Sequence, residues 1–247
     1  MKVVAIIQAR MGSERLPGKV LMPLCGKPVL WHIIQILKGI SLIDEIIIAT
    51  TTLYEDLPIV DFCEINKINF IQGSVFDVLD RFRLASIETH AEIIVRVTAD
   101  NPCLDQGIIT KVLKTHLKGG YDYSSNNIIR TYPRGLDTEV ITKTGLKKVW
   151  ENSKSIDERE HVTLFIKKNL GMFKFYNLKA ENKYHRPEVR LTLDTLEDYR
   201  LLKNIYNNCY KNEPIKIDSI LEYLNINPRI SKINSRIKQK LINGLDY

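Results

Sequence analysis

The chain has 247 residues, 44% of them hydrophobic and 26% charged, with a formal net charge of +7; these are the proportions of a soluble globular protein long enough to bury a substantial core. No apolar run reaches the roughly 20 residues that cross a bilayer, and Met1-Lys2 leads into a strand-length apolar run followed by charge, not into a cleavable signal, so a cytoplasmic location is expected. Aromatic residues make up 8% and do not interleave with the basic ones, which argues against nucleic acid and for an anionic small-molecule partner.

Val3–Ala9 is β-branched and apolar throughout, as in a strand buried on both faces. A basic, glycine-bearing loop follows, from Gln8 to Lys27, and Pro28 opens a helix with apolar positions Val29, Leu30, Ile33, Ile34 and Leu37, closed by Gly39. Glu45–Ala49 reads as a second strand, a helix follows Asp56, and Asn69–Ile71 is a short third strand. Asp77 to about Glu88 is helical, Ile93–Val97 is a fourth strand ending at Thr98-Ala99-Asp100, and Gln106–Lys118 is a helix stopped by Gly119-Gly120. This alternation predicts an α/β fold with a mostly parallel sheet and helices on both faces.

Beyond residue 125 the pattern changes. Strands are expected at Tyr121–Ser124, Leu136–Thr142, Phe173–Leu178 and Val189–Leu193. Helices are expected at Thr144–Asn152, Asp157–Asn169, Thr195–Asn208, Ile217–Leu224 and Pro228–Leu241. The expected organisation is one domain over 1–247. Within it, 1–125 binds nucleotide, 126–190 forms an inserted acceptor and dimerisation lobe, and 191–247 adds a final strand and a helical tail. The four cysteines, Cys25, Cys63, Cys103 and Cys209, form neither a CxxC pair nor zinc spacing with histidine, and read as reduced thiols.

The loop after the first strand is the strongest chemical signal. Arg10, Arg15, Lys19 and Lys27 neutralise phosphate oxygens, and Gly12 lets backbone N–H groups approach them. The pattern is neither GxxxxGK[ST] nor GxGxxG. Asp100 ends a strand, where α/β sheets bind ligands, and suits Mg²⁺; Asp-Asn-Pro is equally good turn chemistry. Asp194 ends another strand-like run and would share that metal if the two were neighbours, or would cap a helix together with Thr195. Arg81 faces either a nucleotide or Asp77 at helical spacing. Asp137 and Glu139 alternate onto one strand face, toward a pocket or toward solvent. Arg159 and His161 share a helix, where a histidine is either structural or a ligand.

Taken together, these residues resemble the sugar-activating cytidylyltransferases, which make CMP-Kdo and CMP-sialic acids. The blocks are Gln8-Ala9-Arg10-Met11-Gly12-Ser13, Gly18-Lys19, Asp77–Arg81, Arg159-Glu160-His161-Val162-Thr163 and Leu193-Asp194-Thr195, in the order found in the spore-coat polysaccharide, SpsF-type branch. Kdo enzymes differ at Thr98-Ala99-Asp100. The resemblance implies a nucleotide-diphosphosugar transferase fold, transfer of CMP from CTP to a sugar phosphate or acidic sugar, and release of pyrophosphate for surface polysaccharide or glycoconjugate synthesis. It implies CTP held by Gln8, Ala9, Arg10, Gly12, Ser13, Arg15, Lys19 and Arg81, with Arg10 and Lys19 catalytic. Mg²⁺ would sit on Asp100 and Asp194, and the acceptor on Asp137, Glu139, Arg159 and His161. A homodimer is implied, with neither nucleic acid nor a membrane span. Rival readings are a guanylyl- or other nucleotidyltransferase, a family A glycosyltransferase (Asp194-Thr195-Leu196 does not fit its DxD motif) and a basic nucleic-acid-binding protein.

Overall fold

The structure is a computed structural model, and it describes residues 1–239. The strands are β1 (Val3–Gln8), β2 (Pro23–Leu24), β3 (Lys27–Pro28), β4 (Glu45–Thr51), β5 (Asn69–Gly73), β6 (Ile93–Thr98), β7 (Tyr123–Ser125), β8 (Glu139–Thr142) and β9 (Phe175–Asn177). The helices are α1 (Val29–Lys38), α2 (Leu57–Asn66), α3 (Val78–Glu88), α4 (Gln106–Gly119) and α5 (Lys143–Asn152), then α6 (Ile156–Glu160), α7 (Leu164–Lys168), α8 (Leu196–Cys209), α9 (Ile217–Ile226) and α10 (Pro228–Ser231).

Seven strands form one sheet in the order β5-β4-β1-β6-β8-β7-β9. The first four are parallel, β8 is antiparallel to β6 and β7, and β9 is parallel to β7. This is the α/β fold expected from the alternating first half. Along β1, Val3, Ala5 and Ile7 enter one core, with residues of α1, α4, α8 and α9, while Val4 and Ile6 enter another with residues of α3, α5 and α7. Both faces of β1 are buried, which is why its sequence has no polar alternation. Helix starts are set locally: the side chains of Asp77, Asp105 and Thr142 cap α3, α4 and α5, and Ser155 and Thr195 form capping boxes at α6 and α8.

Four sequence expectations change. The helix expected over Asp157–Asn169 is broken into α6 and α7, because the buried Thr163 hydroxyl donates to Glu139 Oε1 at 2.7 Å and Val162 is buried in the second core. Tertiary anchoring outweighs helix propensity there. The strand expected from Leu136 begins only at Glu139: the Asn126 side chain bonds the Leu136 carbonyl and the Thr138 amide, at 2.9 and 2.8 Å, in place of a strand neighbour. Val189–Leu193 is extended but joins the sheet's surroundings only by a bridge between Arg190 and Arg134; the Leu193 amide bonds the Asp100 carbonyl at 2.8 Å instead. The helix expected over Pro228–Leu241 stops at Ser231, because Asn234 turns inward to the Arg190 carbonyl and the Asp198 carboxylate; Lys240 and Leu241 lie outside the described residues.

Gly135 permits the close passage of residues 134–135 against 190–192. Its φ is +99°, and a Cβ there would meet the Leu191 carbonyl carbon at 2.6 Å and the Thr192 nitrogen at 2.7 Å, both backbone atoms. Gly135→Ala is therefore expected to destabilise the protein by more than about 1 kcal/mol, read as a lower urea midpoint.

Candidate active site

The C-terminal ends of β1 and β6 open into a cleft of about 580 Å³, the place where open α/β sheets bind ligands. The loop after β1 forms one wall. It is pinned where the Met11 amide donates to the buried Asp56 carboxylate, and where the Ser13 and Gly18 amides both donate to the Met11 carbonyl, at 2.8 and 2.9 Å. The left-handed turn falls at Gly18, φ +72°. Gly12 is not at that turn and does not line the cleft; a Cβ there would meet Glu55 Oε1 at 2.6 Å. Gln8, Ala9, Arg10, Ser13, Arg15 and Lys19 do line it. Lys27 does not: its ammonium lies over the Trp31 ring, 5.5 Å from the centroid.

Lys19 is the centre of the site. Its Nζ donates to Asp100 Oδ2 and to Asp194 Oδ1, each at 2.8 Å. The sequence-predicted aspartates thus converge on one point although Asp194 does not end a strand of the sheet. Asp100 Oδ1 accepts from the Thr98 hydroxyl at 2.6 Å. Asp194 Oδ2 takes Arg15 at 3.1 Å and Arg190 at 2.6 Å. Burial acts to lower the Lys19 pKa, but the two carboxylates outweigh it and hold the ammonium above its ordinary value. Burial acts to raise the Asp194 pKa, but Lys19, then Arg15 and Arg190, bring it down to about 2.

Arg81 is buried beside the cleft rather than paired at the surface. One guanidinium nitrogen donates to the Ala49 carbonyl at 3.2 Å, and Nε has no hydrogen-bond partner. Burial, helped by the charge of Arg10, lowers its pKa to about 10. Asp77 caps α3 and lies 3.6 Å from Arg159.

The expected acceptor residues divide. Asp137 lines the cleft and receives both ends of the Arg130 guanidinium, at 2.6 and 3.0 Å. Glu139 also lines it, but accepts from Tyr123, Thr163 and Arg96. Burial acts to raise the Glu139 pKa, and Arg96 followed by Lys167 brings it to about 2. His161 lines the cleft, and burial lowers its pKa. Arg159 is not brought there; it lies over Trp150 and near Asp77.

Sequence reasoning missed Arg96, Arg134, Lys167, Arg190 and Gln239, all at or behind the cleft. One signal was available: Arg96 interrupts the apolar run Ile93-Ile94-Val95, and a charge inside a buried strand demands a buried partner.

Asp100 and Asp194 bring hard oxygen donors to a single cation, the Lys19 ammonium. That donor set and its convergence fit Mg²⁺, which takes one or two carboxylates with phosphate oxygens and water. Among the described residues no group of three or more His, Cys, Asp or Glu side chains forms a metal cluster. None of the described helices is long and apolar enough to cross a membrane, and all four cysteines are free thiols.

A mostly parallel sheet with a cationic loop after its first strand, and with Asp100 and Asp194 meeting on Lys19 beyond the strand ends, suits an α/β enzyme that binds a polyphosphate ligand. Residues 4–223 match the Cytidylyltransferase family, and the chain belongs to it. The spore coat polysaccharide biosynthesis protein SpsF of Bacillus subtilis is 31% identical over 231 residues, 92% of this chain and 95% of that protein. The solved structure of a cytidylyltransferase from Leptospira borgpetersenii matches with a TM-score of 0.88 and 32% identity, over 94% of this chain and 97% of that one. The structure of CMP:2-keto-3-deoxy-manno-octonic acid synthetase complexed with CTP has the same fold, with a TM-score of 0.63 and 16% identity over 84% of this chain and 99% of that one.

Two outcomes are expected. Lys19→Met leaves the two carboxylates facing each other without their cation, and should cost about 1–3 kcal/mol in chemical denaturation. Asp194 has a native pKa below its ordinary 3.8, so its contribution to stability is complete above about pH 4 and is lost as pH falls through about 2. Urea midpoints across that window should fall less steeply in Lys19→Met than in the wild type.

Proposed function

We propose that this protein transfers CMP from CTP to a sugar phosphate or an acidic sugar, releasing pyrophosphate, in the synthesis of a surface polysaccharide or glycoconjugate. The observation that carries this reading is Lys19, held 2.8 Å from both Asp100 and Asp194 on the same wall as Arg10 and Arg15. Family membership supports a cytidylyl donor, the CTP-bound synthetase supports CTP, and the SpsF relative supports a role in polysaccharide synthesis. We assign residues 1–125 to the nucleotide half, 126–190 to the acceptor lobe and 191–247 to the closing segment.

In this mechanism the cleft-lining loop residues Gln8, Ala9, Arg10, Ser13, Arg15 and Lys19, with Arg81, hold the nucleotide. Arg10, Arg15 and Lys19 neutralise the triphosphate oxygens, and Arg10 stabilises the departing pyrophosphate. An acceptor oxygen forms a bond to the α-phosphorus in line with the bond that breaks. The electron pair of the broken bond leaves on pyrophosphate, and any hydroxyl proton of the acceptor passes to solvent. Asp137, Glu139 and His161 belong to the acceptor side, and Glu139 acts there by fixing Arg96 and Thr163; Arg159, over Trp150 and near Asp77, is left out of it. Asp100 and Asp194 would hold Mg²⁺, which when bound supplies charge neutralisation and orients phosphate oxygens. The protein contributes position and fixed charge, with no covalent intermediate on the chain.

The test measures pyrophosphate release from CTP and from GTP, with Mg²⁺, against a panel of sugar phosphates and acidic sugars. CTP with one acceptor class should be turned over. With that acceptor, Lys19→Ala and Asp194→Ala should each lower kcat/KM by about 10²–10³. Unaltered rates in both variants would exclude the assignment.

A further inference from the structure

The family match ends at residue 223, yet the chain beyond it reaches the cleft. After α10 the backbone turns back toward Arg190. Asn234 is buried, and its Nδ2 donates to the Arg190 carbonyl at 3.0 Å and to Asp198 Oδ1 at 2.7 Å. Gln239 lines the cleft, and its Oε1 accepts from Arg190 Nη1 at 2.6 Å. The other nitrogens of Arg190 are committed as well: Nε donates to Asp198 Oδ1 at 2.9 Å, and Nη2 to Asp194 Oδ2 at 2.6 Å. Asp198 is wholly buried, and its Oδ2 also accepts the Asp194 and Thr195 amides, each at 3.0 Å.

We propose that residues 228–239 are an active-site element, in which Gln239 and Asn234 fix the Arg190 guanidinium and thereby aim the Asp194 carboxylate. Three physical facts carry this. A planar guanidinium has donors in fixed directions, so acceptors on three sides leave it one orientation. Those acceptors are Asp198, Gln239 and Asp194, and two of them come under the control of the tail. Asp194 in turn has its free choice of rotamer removed, because its Oδ2 is held by Arg190 while Oδ1 meets Lys19. Such outer partners of a metal-binding carboxylate commonly matter about 10–100-fold in metal affinity. Gln239 is a positioning residue in this scheme; it acts through Arg190. What Asp194 is aimed at rests on the nucleotidyl-transfer reading, whereas the clamp itself does not.

The experiment uses the full chain with CTP and Mg²⁺ as the probes. CTP affinity is measured by calorimetry in EDTA and again in Mg²⁺, alongside ¹⁵N spectra of the Arg190 guanidinium without nucleotide. In Gln239→Met the thermal midpoint and the affinity in EDTA should stay close to wild type. The gain in affinity on adding Mg²⁺ should fall about tenfold, and the Arg190 Nη signals, resolved in the wild type, should average. Gln239→Glu keeps an acceptor oxygen at the same reach and should restore both readouts. In an Arg190→Lys background, Gln239→Met should cause no further loss. The proposal is overturned if Gln239→Met leaves the Mg²⁺ gain and the Arg190 signals unchanged. It is also overturned if affinity falls equally with and without Mg²⁺, since Gln239 would then touch the nucleotide directly. If the wild type itself binds no CTP, the functional reading fails, and the Arg190 spectra alone decide the clamp.

Discussion

One ammonium group holds the site together. Lys19 comes from the loop after the first strand, Asp100 from the end of β6, 81 residues later, and Asp194 from a segment 175 residues away. Each pairing alone would be a modest contact. Together they fix three remote stretches of chain at one point, in a cleft where partial burial makes an unmatched charge costly. The carboxylates set the protonation of the lysine, and the lysine and two arginines set that of Asp194, so Lys19 and Asp194 are both charged at neutral pH.

A second ionic centre supports the opposite wall. Arg96 on β6 and Glu139 on β8 are both buried and paired across an antiparallel register position. Glu139 also accepts from Tyr123 on β7 and from Thr163 between α6 and α7, and Arg96 Nη2 donates to Gln8 at the end of β1. A buried pair of this kind contributes little net stability compared with an apolar pair of equal volume, but leaving either partner alone is expensive. Its effect is to specify one arrangement: it ties the end of β1, where the basic loop begins, to β7, β8 and the turn between α6 and α7 through five side chains.

Much of this architecture was legible in the sequence because the first half obeys local rules. Apolar β-branched runs mark β1, β4 and β6, and Thr195 offers capping chemistry at the start of α8. The family resemblance added Asp194 to the site, which spacing alone could not place beside Asp100. The second half was less legible because side chains there replace regular backbone pairing. Asn126 stands in for a strand, Thr163 interrupts a helix, and Asn234 ends a tail that periodicity would have continued. Arg190 and Gln239 could not be read as site residues, since their importance lies in whom they meet 4 to 49 residues away.

The alternation along β1 has a dynamic consequence. Its successive side chains belong to different cores, and it is hydrogen-bonded on both edges to parallel neighbours. Neither layer of helices can lift from the sheet without exposing residues adjacent to those that hold the other. Partial opening of the first half of the chain is therefore coupled across the sheet, and the amides of β1 should exchange only through global unfolding. The basic loop thus starts from a strand held on both edges and both faces, and its freedom to adapt lies downstream, between Met11 and Gly18.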